Sequence, residues 1–329
     1  MFRNDDWLGQ HVEEVIDPDR DIIDPHHHLW PSEAMGYNLD ELLSDLASGH
    51  KVVGTVFMEC GAAYRKEGPE HLKCVGETAF IADAAQRSLD RTGHATILGL
   101  VAHADLRSEH LEEVLDAHKA AGNGLFRGIR HAAASDPEPA LTIPGKADPD
   151  LFEQDAFLAG VARLGARNLT YDTWLYHHQL PKYRDLAAAI PGTTMILDHF
   201  GTPLGVGAYA GKREEIFAKW KDDIAAVAKC PNVYAKIGGM AMPDNGYGWH
   251  EAPRPPSSDD FVEAQADWYH HTIKCFGPDR CMFESNFPVD RLSLSYRTLW
   301  NALKKIGANY SAEEQDLMFR GVAKAVYRV

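Results

Sequence analysis

The sequence has 329 residues, is 45% hydrophobic and 25% charged, and carries a net charge of −15, which disfavours nucleic acid or anionic lipid as its main partner. Its length suits one α/β barrel or two smaller domains, and a core of that size needs no disulfide support. The five cysteines form no CxxC pair, the opening MFRNDDWLGQ has no cationic region ahead of an apolar stretch, and no apolar run approaches the length of a membrane span. A cytoplasmic protein without signal peptide or membrane contact is expected.

Residues 1–20 read as an N-terminal extension, and from residue 22 onward strand-like runs alternate with helical patterns. The first run is Ile22 to His28. Val52 to Glu59 follows, then a helix pattern from His71 to Leu89, a third run from Thr96 to His103, and a helix from Ser108 to Ala121. Leu125 to Arg130, Asn168 to Thr173 and Thr194 to His199 are the next three strands. Beyond them come a helix from Lys212 to Lys229, a strand from Asn232 to Ile237, a helix from Asp259 to Cys275 and an eighth strand from Cys281 to Asn286. Such alternation implies parallel pairing through helical crossovers, and eight units predict a single (β/α)8 TIM barrel spanning residues 1–329. The rival is an open doubly wound sheet, but no GxGxxG or P-loop sequence follows an early strand. The loops Asp136 to Asp150, Thr202 to Gly211 and Met240 to Ser258 are long, and all follow predicted strands. In a barrel they elaborate the carboxyl end, where active sites sit.

The first strand ends in Asp24-Pro25-His26-His27-His28. Strict alternation predicts Asp24, His26 and His28 on one face and Pro25 and His27 on the other. Two histidines at i and i+2 can converge on a metal or a substrate oxygen, polarising a carbonyl or activating water. Structural, hydrogen-bonded histidines are the plainer account, weaker for a pair than for one.

DPHHHLW resembles the strand-one signature of the amidohydrolase-2 branch, which includes sugar-acid lactonases and 2-pyrone-4,6-dicarboxylate lactonase. Further pieces in family order are Phe126-Arg127-Gly128-Ile129-Arg130, Gln179-Leu180-Pro181, Leu197-Asp198-His199-Phe200-Gly201, Asn232-Val233-Tyr234-Ala235-Lys236, Phe283-Glu284-Ser285-Asn286-Phe287-Pro288 and Ala325-Val326-Tyr327-Arg328. The resemblance implies that His26, His28 and His199 contact a substrate carbonyl or a metal such as zinc or manganese; the family also has members that hydrolyse lactones without a metal, and the departure at strand eight weakens the case for a tightly held one. It also implies that Arg130 holds an anionic substrate or pairs with a nearby acid, and that Lys236 binds an anion or forms a barrel ion pair.

Strand eight departs from the family. Where a Gly-Ser-Asp-Trp-Pro-like motif places an aspartate, this chain has Glu284-Ser285-Asn286-Phe287-Pro288, and an amide cannot accept a proton as a carboxylate does. Asp290, Asp172 and Glu59 are the candidate replacement bases; alternatively Asn286 orients water or stabilises an oxyanion and a histidine is the base. Glu284 would point into the barrel beside Lys236 or Arg130. His178, with His177, could reach the pocket rim. Trp30, Tyr37 and Trp174 are candidates to line a pocket for a ring-shaped substrate, His103 and His131 are secondary site candidates, and His270 and His271 are expected in solvent. The leading expectation is a hydrolase of the carboxylic-ester class opening a small anionic or sugar-derived lactone. Non-oxidative decarboxylation of an aromatic acid and ligand binding without catalysis are the alternatives. Self-association is open, because no segment identifies an interface.

Overall fold

The computed structural model describes residues 2–31, 35–94 and 96–329. Eight strands form one sheet in chain order: β1 (Ile22–His27), β2 (Val52–Met58), β3 (Ile97–Ala102), β4 (Phe126–Arg130), β5 (Thr170–Thr173), β6 (Met195–Leu197), β7 (Val233–Ile237) and β8 (Cys281–Phe283). Every neighbouring pair is parallel. The circle is completed where His27 bridges Phe287 and His28 N donates to Phe287 O at 2.8 Å. This is the expected (β/α)8 barrel. Among the described residues all five cysteines are free, and no helix is long and apolar enough to cross a membrane.

The helices are α1 (Asp5–Leu8), α2 (Leu39–Leu46), α3 (Val75–Thr92), α4 (Leu111–Ala121), α5 (Asp155–Ala166), α6 (Leu180–Ala189), α7 (Arg213–Val227), α8 (Ser258–Phe276), α9 (Tyr296–Gly307), α10 (Ala312–Asp316) and α11 (Val322–Tyr327). Their apolar faces pack on the outward residues of the strands, among them Ile22, Phe57, Leu100 and Tyr171. A smaller inner cluster joins Ile23, Val56, Val101, Ile196 and Met282 to Val322, Ala323, Val326 and Tyr327. The segment around α11 thus packs against the inward side chains of the strands, and burying this apolar surface closes the barrel from below.

Strict alternation fails in β1. Its register against β2 shifts between Asp24 and His27, at Pro25, which has no N–H for the ladder. Ile23 and His26 both face inward, whereas Asp24 turns outward and accepts from Ser285 N (3.0 Å) and Tyr296 Oη (3.0 Å). Asp24 therefore anchors the segment after β8 and does not share the face of His26 and His28. His27 is also outward, its Nε2 3.0 Å from Thr55 Oγ1 and its ring against Phe57.

Residues 2–8 lie along the edge of the barrel mouth. Phe2 N donates to Met35 O (3.0 Å), Arg291 Nη1 to Phe2 O (2.7 Å), and Trp7 Nε1 to Ala252 O (3.0 Å). The extension is part of the mouth and does not hang free.

Candidate active site

β6 and β8 are shorter than their patterns suggest, ending at Leu197 and Phe283. Asp198, His199, Glu284 and Asn286 therefore stand on turns just past the strands. His199 and Asn286 adopt left-handed backbone (φ 54° and 55°), a conformation that non-glycine residues hold only where surrounding structure enforces it. Gly238 and Gly239 after β7 make the room. A Cβ on Gly239 would overlap the His199 ring, and one on Gly238 would overlap Glu284.

Glu284 joins two histidines. Its Oε1 lies 2.7 Å from His199 Nδ1 and its Oε2 3.0 Å from His26 Nδ1. Its partners are thus the histidines, where a lysine or arginine was expected. His28 Nδ1 donates to Met58 O (2.9 Å), which leaves its Nε2 as an acceptor 3.2 Å from His26 Nε2. Burial first, then neighbouring positive groups, holds the His26 and His28 rings well below the usual histidine range, which favours neutral rings.

Beneath the histidines runs a buried ionic layer. Lys236 Nζ is 3.0 Å from Asp172 Oδ2, 3.1 Å from Asp198 Oδ1 and 3.2 Å from His26 Nδ1. Tyr327 Oη donates to Asp172 from the barrel floor. Arg130 Nε bonds Asp198 Oδ2 (2.8 Å) and its Nη1 bonds Glu59 Oε1 (3.2 Å). Burial raises the Asp198 carboxyl, but Lys236 and Arg130 outweigh it and hold the group low; for Asp172 burial prevails over Lys236 and the shift is upward.

The residues fit a divalent cation at the histidine pair. With its proton on Nε2, His26 donates to His28 Nε2 and its Nδ1 accepts from Lys236 Nζ, but Glu284 Oε2, 3.0 Å from Nδ1, is then left buried without a donor; with the proton on Nδ1 the two Nε2 lone pairs meet at 3.2 Å. Two imidazole ligands at about 2.0–2.1 Å from a tetrahedral zinc stand roughly 3.3 Å apart, close to the observed spacing. Glu284 and Met58 O then act as the outer partners that orient metal-bound histidines. A second grouping, His26, Asp198 and His199, also lies within ligand reach, but Asp198 already serves Arg130 and Lys236.

Above the histidines opens a cavity of about 510 Å³. Of the sequence candidates, His28, His199, Asn286, Arg130, Glu59, Trp174 and Trp30 line it. His26, Lys236 and Asp172 lie below it, fully buried. Asp290 stands behind Asn286, accepting from Asn286 Nδ2 (2.9 Å) and Ala241 N (3.1 Å), and burial pushes its carboxyl well up. Glu59 is therefore the one of the three candidate bases that reaches the cavity wall.

Other candidates lie elsewhere. His178 pairs with Asp136 (2.9 Å) in a half-exposed position outside the lining, and His177 packs edge-on against Tyr209. Tyr37 is buried and donates to Asp45 (2.9 Å). His103 and His131 are held by backbone groups of Arg130 and Leu106. His270 and His271 are half-buried on Tyr310 Oη (2.8 Å) and Lys221 O (2.9 Å); they were expected in solvent, but α8 presses that face on its neighbours. Two of the three long loops supply lining residues, Ile143 and Met242. Sequence reasoning overlooked Asp198, the Gly238-Gly239 pair and Phe2. An acid directly before His199 and two consecutive glycines after a strand were the available signals.

A profile of the amidohydrolase family matches residues 23–329. The uncharacterized protein y4mH of Sinorhizobium fredii is 31% identical over 331 residues, covering 94% of this chain and 98% of the relative. The L-fucono-1,5-lactonase of Burkholderia multivorans is 26% identical over 320 residues, covering 93% and 95%. An amidohydrolase from Burkholderia multivorans crystallised with bound zinc superposes with a TM-score of 0.73 at 23% identity, covering 94% of this chain and all of that one; it shares the fold.

Proposed function

The chain belongs to the amidohydrolase family, and we propose that it is a lactonase, opening a small cyclic ester at the His26–His28–His199 cluster. The observation that carries this reading is the Glu284 carboxylate held against His199 Nδ1 at 2.7 Å beneath an open cavity. The lactonase relative at 26% identity supports it.

The carboxylate fixes the proton of His199 on Nδ1 and leaves Nε2 as the base, the same logic that orients the histidine of a hydrolytic triad. His199 takes a proton from water as its oxygen attacks the ester carbonyl. The ring C–O bond breaks, the proton passes from His199 to the leaving alkoxide, and the product is a hydroxy acid. Arg130, with Nε and Nη1 committed to carboxylates, offers its remaining N–H groups to the carbonyl oxygen as charge develops there. Asn286, tied to Asp290, shapes the wall beside the reacting carbon. A divalent ion on His26 and His28 would supply Lewis-acid polarisation; the zinc in the Burkholderia neighbour supports that reading.

The test is a pH-indicator hydrolysis screen of the purified protein against a broad lactone panel, with and without a chelator. Turnover that His199→Ala abolishes is expected. No turnover on any lactone, with carbon dioxide released from aromatic acids or saturable binding alone, would overturn the reading.

A further inference from the structure

We infer that the substrate is an uncharged ring bearing an apolar substituent, a class distinct from polyhydroxylated or dicarboxylated lactones; this rests on the lactonase reading above. The cavity is divided by chemistry. His28, His199, Arg130, Glu59 and Asn286 are its polar lining, the reacting groups, and the rest of the wall is dominated by Phe2, Trp30, Met35, Ile143, Trp174 and Met242. Phe2 and Trp30 stack there with centroids 5.5 Å apart. Two indole N–H groups, of Trp30 and Trp174, are the polar side-chain atoms among these six, and that of Trp174 is spent on Thr202 Oγ1 at 3.0 Å.

Several sugar hydroxyls placed against this wall would lose water and find at most the Trp30 indole N–H in exchange, and buried polar groups without partners are strongly disfavoured. An anionic substituent fares no better. The charge of Arg130 is already met by Asp198 and Glu59, and Glu59 is itself on the wall, so a second carboxylate would meet its repulsion. The volume, about 510 Å³, falls in the range of pockets for drug-sized ligands and exceeds the needs of a bare six-membered ring. An apolar side chain on the ring fills the remainder, and each well-placed methylene in such a pocket raises kcat/KM about 10-fold or more. Phe2 makes the extension a specificity element, because it closes the apolar wall from outside the barrel.

The experiment compares δ-valerolactone, δ-decanolactone, glucono-1,5-lactone and 2-pyrone-4,6-dicarboxylate by turnover and by quenching of tryptophan fluorescence. δ-Decanolactone should exceed glucono-1,5-lactone and the dicarboxylate by at least about 100-fold in kcat/KM, and it should quench at the lowest concentration. Phe2→Ala should raise KM for δ-decanolactone about 10-fold while changing kcat little. Preferred turnover of the sugar or dicarboxylated lactone overturns this inference and leaves the lactonase reading standing. Tight quenching by δ-decanolactone without turnover of any lactone would support the apolar preference of the cavity but sink the lactonase reading, and with it the ring as substrate. An unchanged KM in Phe2→Ala overturns the part given to Phe2.

Discussion

Glu284 Oε1 lies 2.7 Å from His199 Nδ1, and its second oxygen lies 3.0 Å from His26 Nδ1 without a hydrogen bond, so one carboxylate just past β8 fixes the His199 ring and stands beside that of His26. Glu284→Gln replaces one of these acceptors with an amide N–H. Loss of such an outer partner lowers activity about 10–100-fold. The drop should appear in kcat with little change in KM, because the side chain lies below the cavity. A kcat within twofold of the parent would remove Glu284 from the mechanism.

Gly239 packs against the His199 ring. Gly239→Ala puts a methyl where His199 Nδ1 now sits and asks alanine to hold φ 71°. Activity should fall at least about 100-fold, as a small displacement of a catalytic group does, while a folded protein is retained. The far-ultraviolet circular dichroism spectrum and a hydrolysis assay together check both halves.

The spacing of His26 Nε2 and His28 Nε2 predicts metal uptake. After equilibration with zinc and removal of free ion, elemental analysis should find about one zinc per chain in the parent and a small fraction of that in His28→Ala. Chelation should slow lactone turnover and zinc should restore it. Equal zinc in the parent and His28→Ala would place any bound ion elsewhere.

Restoring an acid at strand eight should harm the protein. Asn286→Asp sets a carboxylate against Asp290, where Asn286 Nδ2 now donates at 2.9 Å. Two adjacent buried carboxyls cannot both ionise cheaply, so the new group's folded pKa is raised above its unfolded value. The penalty is then small below the unfolded pKa and grows as pH rises toward the folded one. Thermal melts should show Asn286→Asp close to the parent at pH 4 and destabilised by about 1–3 kcal/mol at pH 8.

Glu13 gives the opposite sign. Burial alone would raise its carboxyl, but Ser258 N (2.6 Å), Ser258 Oγ (2.5 Å) and Asn301 Nδ2 (3.0 Å) outweigh this and hold it at about 2, against an ordinary 4.5. A depressed folded pKa stabilises above pH 4.5, and that contribution fades as pH falls from 4.5 toward 2. Glu13→Gln should therefore melt below the parent at pH 7, and the gap should narrow by pH 3 and close only below about pH 2. A gap constant across this range would contradict the assignment.

The barrel was legible because its information is local: eight apolar runs, eight crossovers, and a pair of histidines at a strand end. Boundaries erred where the backbone leaves the strand early, as at His199 and Asn286, since left-handed turns leave little trace in the pattern of apolar residues. The face of Asp24 was misread because a shift at Pro25 is a property of the pairing with β2, which β1 alone does not display. Glu284 was recognised as inward and paired, but its partner is set by closure of the barrel; arginine and lysine are the usual partners of a buried acid, and here two imidazoles take that place. Among the candidate bases nothing local separates Asp172 from Glu59. One lies on the floor beside Tyr327 and the other at the cavity wall, which only the completed circle decides.

The ionic layer under the histidines also dictates an order of events as the chain is made. His26 meets Lys236 across 210 residues of sequence, Glu284 meets His199 across 85, and Asp172 meets Tyr327 across 155. Until residue 327 has left the ribosome, the carboxylates and cations of this layer lack their full set of partners and are better kept in water than in a half-closed barrel. The ionic layer is therefore complete only once residues from both ends of the barrel sequence are present, and a chain that lacks Tyr327 lacks the donor that meets Asp172.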